Sequence, residues 1–172
     1  SNPHVIIAWP GHTLAAARGP KGLLLMFICN HCPYVKAIRE RIVRDANELR
    51  VHGIGSIAIM SNDPTEYAED SFPSMKRVAL EFGFPFPYVL DETQSVARAY
   101  GAVCTPEFFG FNADLELQYH GRLDGSKTAP LTSSTTRTQT EPAFGDAAMT
   151  SVSTPPVAMA KLAPMSVSVG AP

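Results

Sequence analysis

The sequence predicts an α/β domain, a mixed sheet with helices on both faces. Short apolar runs alternate with segments of helical period between Leu23 and Asp124, and the last two runs flank a polar turn. Beyond Asp124 the composition changes. This predicts a domain over residues 1–124 and a separate tail over 125–172.

LLLMFI (23–28) is short and apolar throughout, the pattern of a strand buried on both sides. Pro33 suits the first turn of a helix, where its missing N–H costs nothing. That helix is expected to reach about His52, with Val35, Ile38, Ile42, Ala46 and Leu49 on one face, and Gly53 stops it. IGSIAIMS (54–61) reads as a second buried strand, followed by an Asn62-Asp63-Pro64 turn. Residues 65–83 hold a short helix and a longer one, broken near Pro73. FPYVL (86–90) is a third strand, and 93–100 a helix ended by Gly101. FFGFN, the turn Asn112-Ala113-Asp114 and LELQYHG then read as a β-hairpin. Nearer the start, only VIIA (5–8) reads as a strand, at an edge.

At 172 residues the chain suits one domain with a proper core. A net charge of −2 gives no electrostatic case for nucleic acid or an anionic membrane. The longest apolar stretch, 22–28, is far too short to span a bilayer, and no signal peptide is visible, so the expected location is the cytoplasm. In the tail, Ser, Thr, Pro, Ala and Gly make up 32 of 48 residues and Phe144 is the sole aromatic. Such a segment buries little and is expected to be mobile or irregular.

The three cysteines, Cys29, Cys32 and Cys104, are too few for a disulfide scaffold and point to chemistry. Cys29-Asn30-His31-Cys32 lies between a buried strand and a helix. There the free N–H groups and the helix dipole favour a thiolate on Cys29, which attacks a partner disulfide. Cys32, one helical turn on and shielded, resolves the mixed disulfide. His31 beside Cys29 stabilises the thiolate further, which predicts an oxidising pair. Asn30 reads as a spacer. Zinc is disfavoured and no metal site is expected, because zinc wants four ligands and only one CxxC exists. No organic cofactor is needed. Lys36, Arg39, Arg41 and Arg44 read as a solvated helix face, and the Phe82–Phe86 and Phe108–Phe111 phenylalanines as core. His4, His12, His52 and His120 show no spacing that joins them into a site.

CNHCPYV after an apolar strand, with DETQSVARAYGAVCTPEFFGFN (91–112) downstream, resembles the thioredoxin-like AhpC/TSA (redoxin) family, close to its thiol–disulfide isomerase members. The resemblance covers roughly residues 13–124 and implies a thioredoxin-like fold. It places Thr105-Pro106 at the family's cis-proline position, beside the CxxC, where the Thr105 backbone pairs with an extended substrate. Cys104, two residues earlier, is expected to be buried and either packs or plays an auxiliary redox part. Peroxidatic members carry Thr or Ser three residues before the cysteine; here Met26 and Cys29 hold those places. The buried acid and Trp of thioredoxins proper are also missing, since LLLMFI has no acid and Phe27 precedes the pair. On the resemblance, Glu69 and Asp70 are the candidates for a proton relay. The expected activity is that of a thiol–disulfide oxidoreductase, acting on protein or small-molecule thiols and disulfides with a cellular thiol as electron donor. The alternatives are a thiol-dependent peroxidase and a non-catalytic thioredoxin-like binding module.

Overall fold

The structure, a computed structural model, describes residues 14–123. The expected edge strand at 5–8 and the tail at 125–172 lie outside them. Five strands form a mixed sheet in the order β3-β2-β1-β4-β5: β1 (Gly22–Phe27), β2 (Ile54–Met60), β3 (Tyr88–Leu90), β4 (Glu107–Asn112) and β5 (Leu117–Gly121). The β2–β3 pair is parallel, whereas β1–β4 and β4–β5 are antiparallel. The parallel pair joins the other three strands where the Ile28 N–H donates to the Ile59 carbonyl at 3.0 Å.

β1 is buried along its whole length, as its uninterrupted apolar run requires. Its side chains alternate between two cores. Leu24, Met26 and Ile28 pack with α2 (Pro33–Val51) and α3 (Phe72–Glu81), while Leu23, Leu25 and Phe27 pack with α4 (Ser95–Tyr100). Val35, Ile38, Ile42, Ala46 and Leu49 all face the first core. Phe84, Phe86 and Phe108 join that core and Phe109 the second. Helices therefore cover both faces, as the sequence predicts.

Differences from expectation have local causes. Residues 14–17 form a short helix, α1, that the sequence did not signal. It approaches β2 so closely that a Cβ on Gly55 would lie 1.9 Å from the Ala17 carbonyl oxygen. The short helix and the longer one are found as expected, a 3₁₀ turn at Ala68–Asp70 and then α3, with the break at Ser71 and Pro73 in the first turn of α3. β3 is shorter than expected because Pro85 and Pro87 have no N–H to offer a ladder. α4 starts only at Ser95, behind a left-handed Gln94 (φ 57°). β5 begins at Leu117, because the Asn112 side chain accepts the N–H groups of Asp114 and Glu116 and extends the turn.

The basic residues of α2 are not all solvated. Arg39 and Arg41 are buried, and the Arg39 guanidinium lies 4.4 Å over the Phe82 ring while donating to the Asn30 carbonyl at 3.4 Å. Lys36 pairs with Glu69 at 2.7 Å and Arg44 with Asp45 at 2.7 Å, both on the surface.

Candidate active site around the CxxC pair

β1 runs out at Phe27, and the chain crosses from sheet to α2 over Ile28 to Cys32. Cys32 is the N-cap of α2, with Pro33 in the first turn. Cys29 lies three residues earlier, two past the end of β1, and is 0% exposed against 8% for Cys32. Both are free thiols. Across the sheet, Phe27 is the register partner of Glu107, so the residues just before β4 are delivered to the same end. Thr105 meets both sulfurs there. Its hydroxyl lies 3.1 Å from Cys29 Sγ, and its carbonyl accepts from the Cys32 thiol at 3.4 Å. The Thr105–Pro106 peptide is cis.

This geometry corrects the electrostatic expectation for Cys29. Its thiol is not lowered but pushed up to about 11, because burial disfavours the anion more than its surroundings favour it. The Thr105 hydroxyl and the Cys32 N–H act in the opposite direction, while the Asp70 carboxylate raises it further. The helix terminus is occupied by Cys32 rather than Cys29, so the sequence reading placed the helix start three residues too early.

Asp70 organises the loop. Fully buried on the 3₁₀ turn, it accepts the N–H of Asn30 at 2.7 Å and of His31 at 3.1 Å through Oδ1. Through Oδ2 it meets His31 Nδ1 at 2.6 Å and the Asn62 amide at 3.3 Å. His31 also stacks on Tyr67, with ring centres 3.7 Å apart and planes 2° from parallel. Cys29, His31 and Asp70 each bring a ligating atom within 4.8 Å of the others. Of the two relay candidates, only Asp70 joins the cysteines; the Glu69 carboxylate turns outward to Lys36.

Asn30 is more than a spacer. Its amide donates to the Glu69 carbonyl at 2.8 Å and its Oδ1 accepts from the Tyr88 hydroxyl at 3.1 Å. Burial pushes the Tyr88 hydroxyl well up, so it stays protonated as that donor.

Cys104 is exposed, not buried as expected. The loop turns its side chain outward, into the wall of a cavity of about 350 Å³ shared with Phe27, Asn62, Arg98 and Thr105. Its thiol is pushed up by partial burial and by the nearby Glu107 carboxylate. Glu107 was not signalled by the sequence either. One of its oxygens accepts the Val103 N–H at 2.9 Å and the Cys104 N–H at 3.5 Å, and the other meets His120 Nε2 at 2.6 Å. Among these unsignalled residues, only proximity to the Thr-Pro pair marked Glu107; Asn62 and Tyr88 are brought in by strand pairing that no local pattern reveals.

Comparison with known proteins settles the family, since the AhpC/TSA family profile matches residues 9–120. The chain belongs to the AhpC/TSA family. This AhpC/TSA protein matches a conserved uncharacterised protein from Geobacillus kaustophilus at 42% identity and TM-score 0.67, over 77% of either chain. A hypothetical protein from Sinorhizobium meliloti 1021 matches at 37% identity and TM-score 0.67, over 70% of this chain and 66% of that one. A secreted disulfide oxidoreductase from Mycobacterium tuberculosis shares the fold at 16% identity and TM-score 0.51, over 63% of this chain and 79% of that one. No curated protein matches significantly. Among the described residues of this AhpC/TSA protein, no helix is long and apolar enough to cross a membrane.

Proposed function

We propose that the protein is a thiol–disulfide oxidoreductase whose working pair is Cys29 and Cys32. The observation that supports this best is the meeting of both sulfurs at Thr105, the hydroxyl on Cys29 and the carbonyl on Cys32. Cys29 as thiolate attacks one sulfur of a substrate disulfide, forming a mixed disulfide and releasing the other half as a thiolate. Cys32 then attacks Cys29 Sγ, releasing the second half and leaving the pair oxidised. Two cellular thiol groups, in the cytoplasm, then reduce the pair by the same exchange in reverse: the first thiolate forms a mixed disulfide with the protein, the second resolves it, and the donor leaves as its disulfide. The Thr105 hydroxyl and the Cys32 N–H both lower the cost of the Cys29 anion. Thr105-Pro106 aligns an extended substrate, and His31, held by Asp70, carries protons at the mouth of the site with Asp70 behind it.

The raised Cys29 thiol changes the expected poise. With burial opposing the Cys29 thiolate, the reduced form lacks the anion stabilisation that makes such a pair oxidising, so the reducing end of the range is expected. A glutathione redox titration, quenched by alkylation and read by mass spectrometry, tests both points. A reversible Cys29–Cys32 disulfide at the reducing end is expected. If no such disulfide forms, the oxidoreductase reading is wrong, and fast peroxide consumption would then favour a thiol peroxidase. Roles separate by trapping: Cys32→Ser should accumulate a mixed disulfide on Cys29, and trapping by Cys29→Ser instead would reverse the assignment.

A further inference from the structure

Among the described residues, one group of three potential metal ligands lies together, and it takes only one of the two paired cysteines. Cys29 Sγ, His31 and Asp70 each place one ligating atom within 4.8 Å of the other two, and Cys29 and Asp70 are buried. We propose that the reduced protein binds one thiophilic divalent cation of the Zn²⁺ class through Cys29 Sγ, a ring nitrogen of His31 and a carboxylate oxygen of Asp70. This revises the sequence reading, which asked for a second cysteine pair and could not see that Asp70 arrives from 39 residues away.

Charge supports it first. A thiolate and a carboxylate together neutralise a divalent cation, so the filled site leaves no net charge on the buried Cys29 and Asp70. Donor type supports it next. Sulfur and imidazole beside one carboxylate suit Zn²⁺ and exclude the all-oxygen preference of Mg²⁺ and Ca²⁺.

The third support is orientation. Two backbone N–H groups hold Asp70 Oδ1, the Asn62 amide holds Oδ2, and Tyr67 fixes the plane of the His31 ring. Bonds of about 2.0–2.3 Å set tetrahedral ligand atoms about 3.3–3.7 Å apart. The His31–Asp70 contact must therefore open from its 2.6 Å and the sulfur come within about 3.7 Å of both, where at present all three atoms lie within 4.8 Å of one another and His31 is partly exposed on its loop. On binding, the Cys29 proton leaves to solvent and no electron moves. The fourth position falls to water or an incoming thiol.

The test uses the whole protein, reduced, with Zn²⁺ competed against a chromophoric chelator and Co²⁺ as a spectroscopic probe. One equivalent should bind, with a thiolate-to-cobalt charge-transfer band. Cys29→Ser should lose both, and His31→Gln and Asp70→Asn should each weaken binding at least about tenfold. Cys104→Ser, which removes the exposed thiol, should bind like wild type. His31→Gln decides if Asp70→Asn does not fold. Equal affinity of His31→Gln and wild type, or no charge-transfer band, overturns the proposal. Release of the metal on oxidation rests on the Cys29–Cys32 disulfide proposed above. Should no disulfide form, that reading fails while the reduced-state titration still decides this one; metal retained by protein shown to be disulfide-bonded would overturn it.

Discussion

Cys29 lies two residues past the end of β1, beside Thr105 and closed to water, with a thiol pushed from an ordinary 9.0 up to about 11. The folded state therefore holds the Cys29 proton where the unfolded chain gives it up. Stability from this source is complete below pH 9 and is lost as pH rises through 9 towards 11. Between pH 8 and 10, reduced wild type should lose about 1 kcal/mol more than Cys29→Ala in urea unfolding; parallel declines would show that burial does not set this thiol. Asp70 and Glu69, neighbours in sequence, should behave in opposite ways. Asp70→Asn puts an amide where two donors point and leaves a buried network broken, costing about 2–4 kcal/mol. Glu69→Gln removes only an exposed pair with Lys36 and should stay within about 0.5 kcal/mol. Urea midpoints of the two variants check this, and similar losses would contradict it. The cysteines and Thr105-Pro106 were legible because each is a contiguous motif. Asp70 could not be told from Glu69, since the difference is which side of a 3₁₀ turn faces the loop.

Between elements, Glu107 ties the start of β4 to two places at once. It accepts the Val103 and Cys104 N–H groups from the loop that presents Thr105, and it meets His120 on β5. His120 in turn stacks on Phe109, 4.2 Å between ring centres. The loop is thus braced from the sheet as well as by the Ala102 N–H bonded back to the Ala97 carbonyl of α4. Glu107→Gln keeps the shape but exchanges one acceptor oxygen for a donor, so either the loop or His120 loses its partner. We expect hydrogen exchange at the Val103 amide to accelerate at least about tenfold, with amides of α2 unchanged; equal exchange in both proteins would remove the brace from the account. The long helix and the central strands were legible because period and burial agree along them. α1, β3 and the start of β5 were not, because a close approach at Gly55, two prolines and an Asn112-capped turn decide them, and none alters the hydrophobic period.

Among the described residues the sheet separates two hydrophobic cores, one on each face. Ile42 on α2 lies in one, with Met26 and Met75; Val96 on α4 lies in the other, with Phe27 and Tyr100. This division was legible from LLLMFI, since a run apolar at every position must bury both faces. Distant sites without shared partners add in free energy, whereas sites coupled through a common shift do not. Ile42→Val should cost about 0.5–1.5 kcal/mol, the loss of one buried methyl with little collapse. Val96→Ala should cost somewhat more, about 1–2.5 kcal/mol. The double variant should lose the sum within about 0.5 kcal/mol, in a single transition seen alike by tryptophan-free probes such as far-ultraviolet dichroism and tyrosine absorbance. Two separate transitions would mean the layers unfold independently and the sheet does not bind them into one unit. A coupling well above the additive range would mean instead that β1, touched from both sides, transmits repacking from one core to the other.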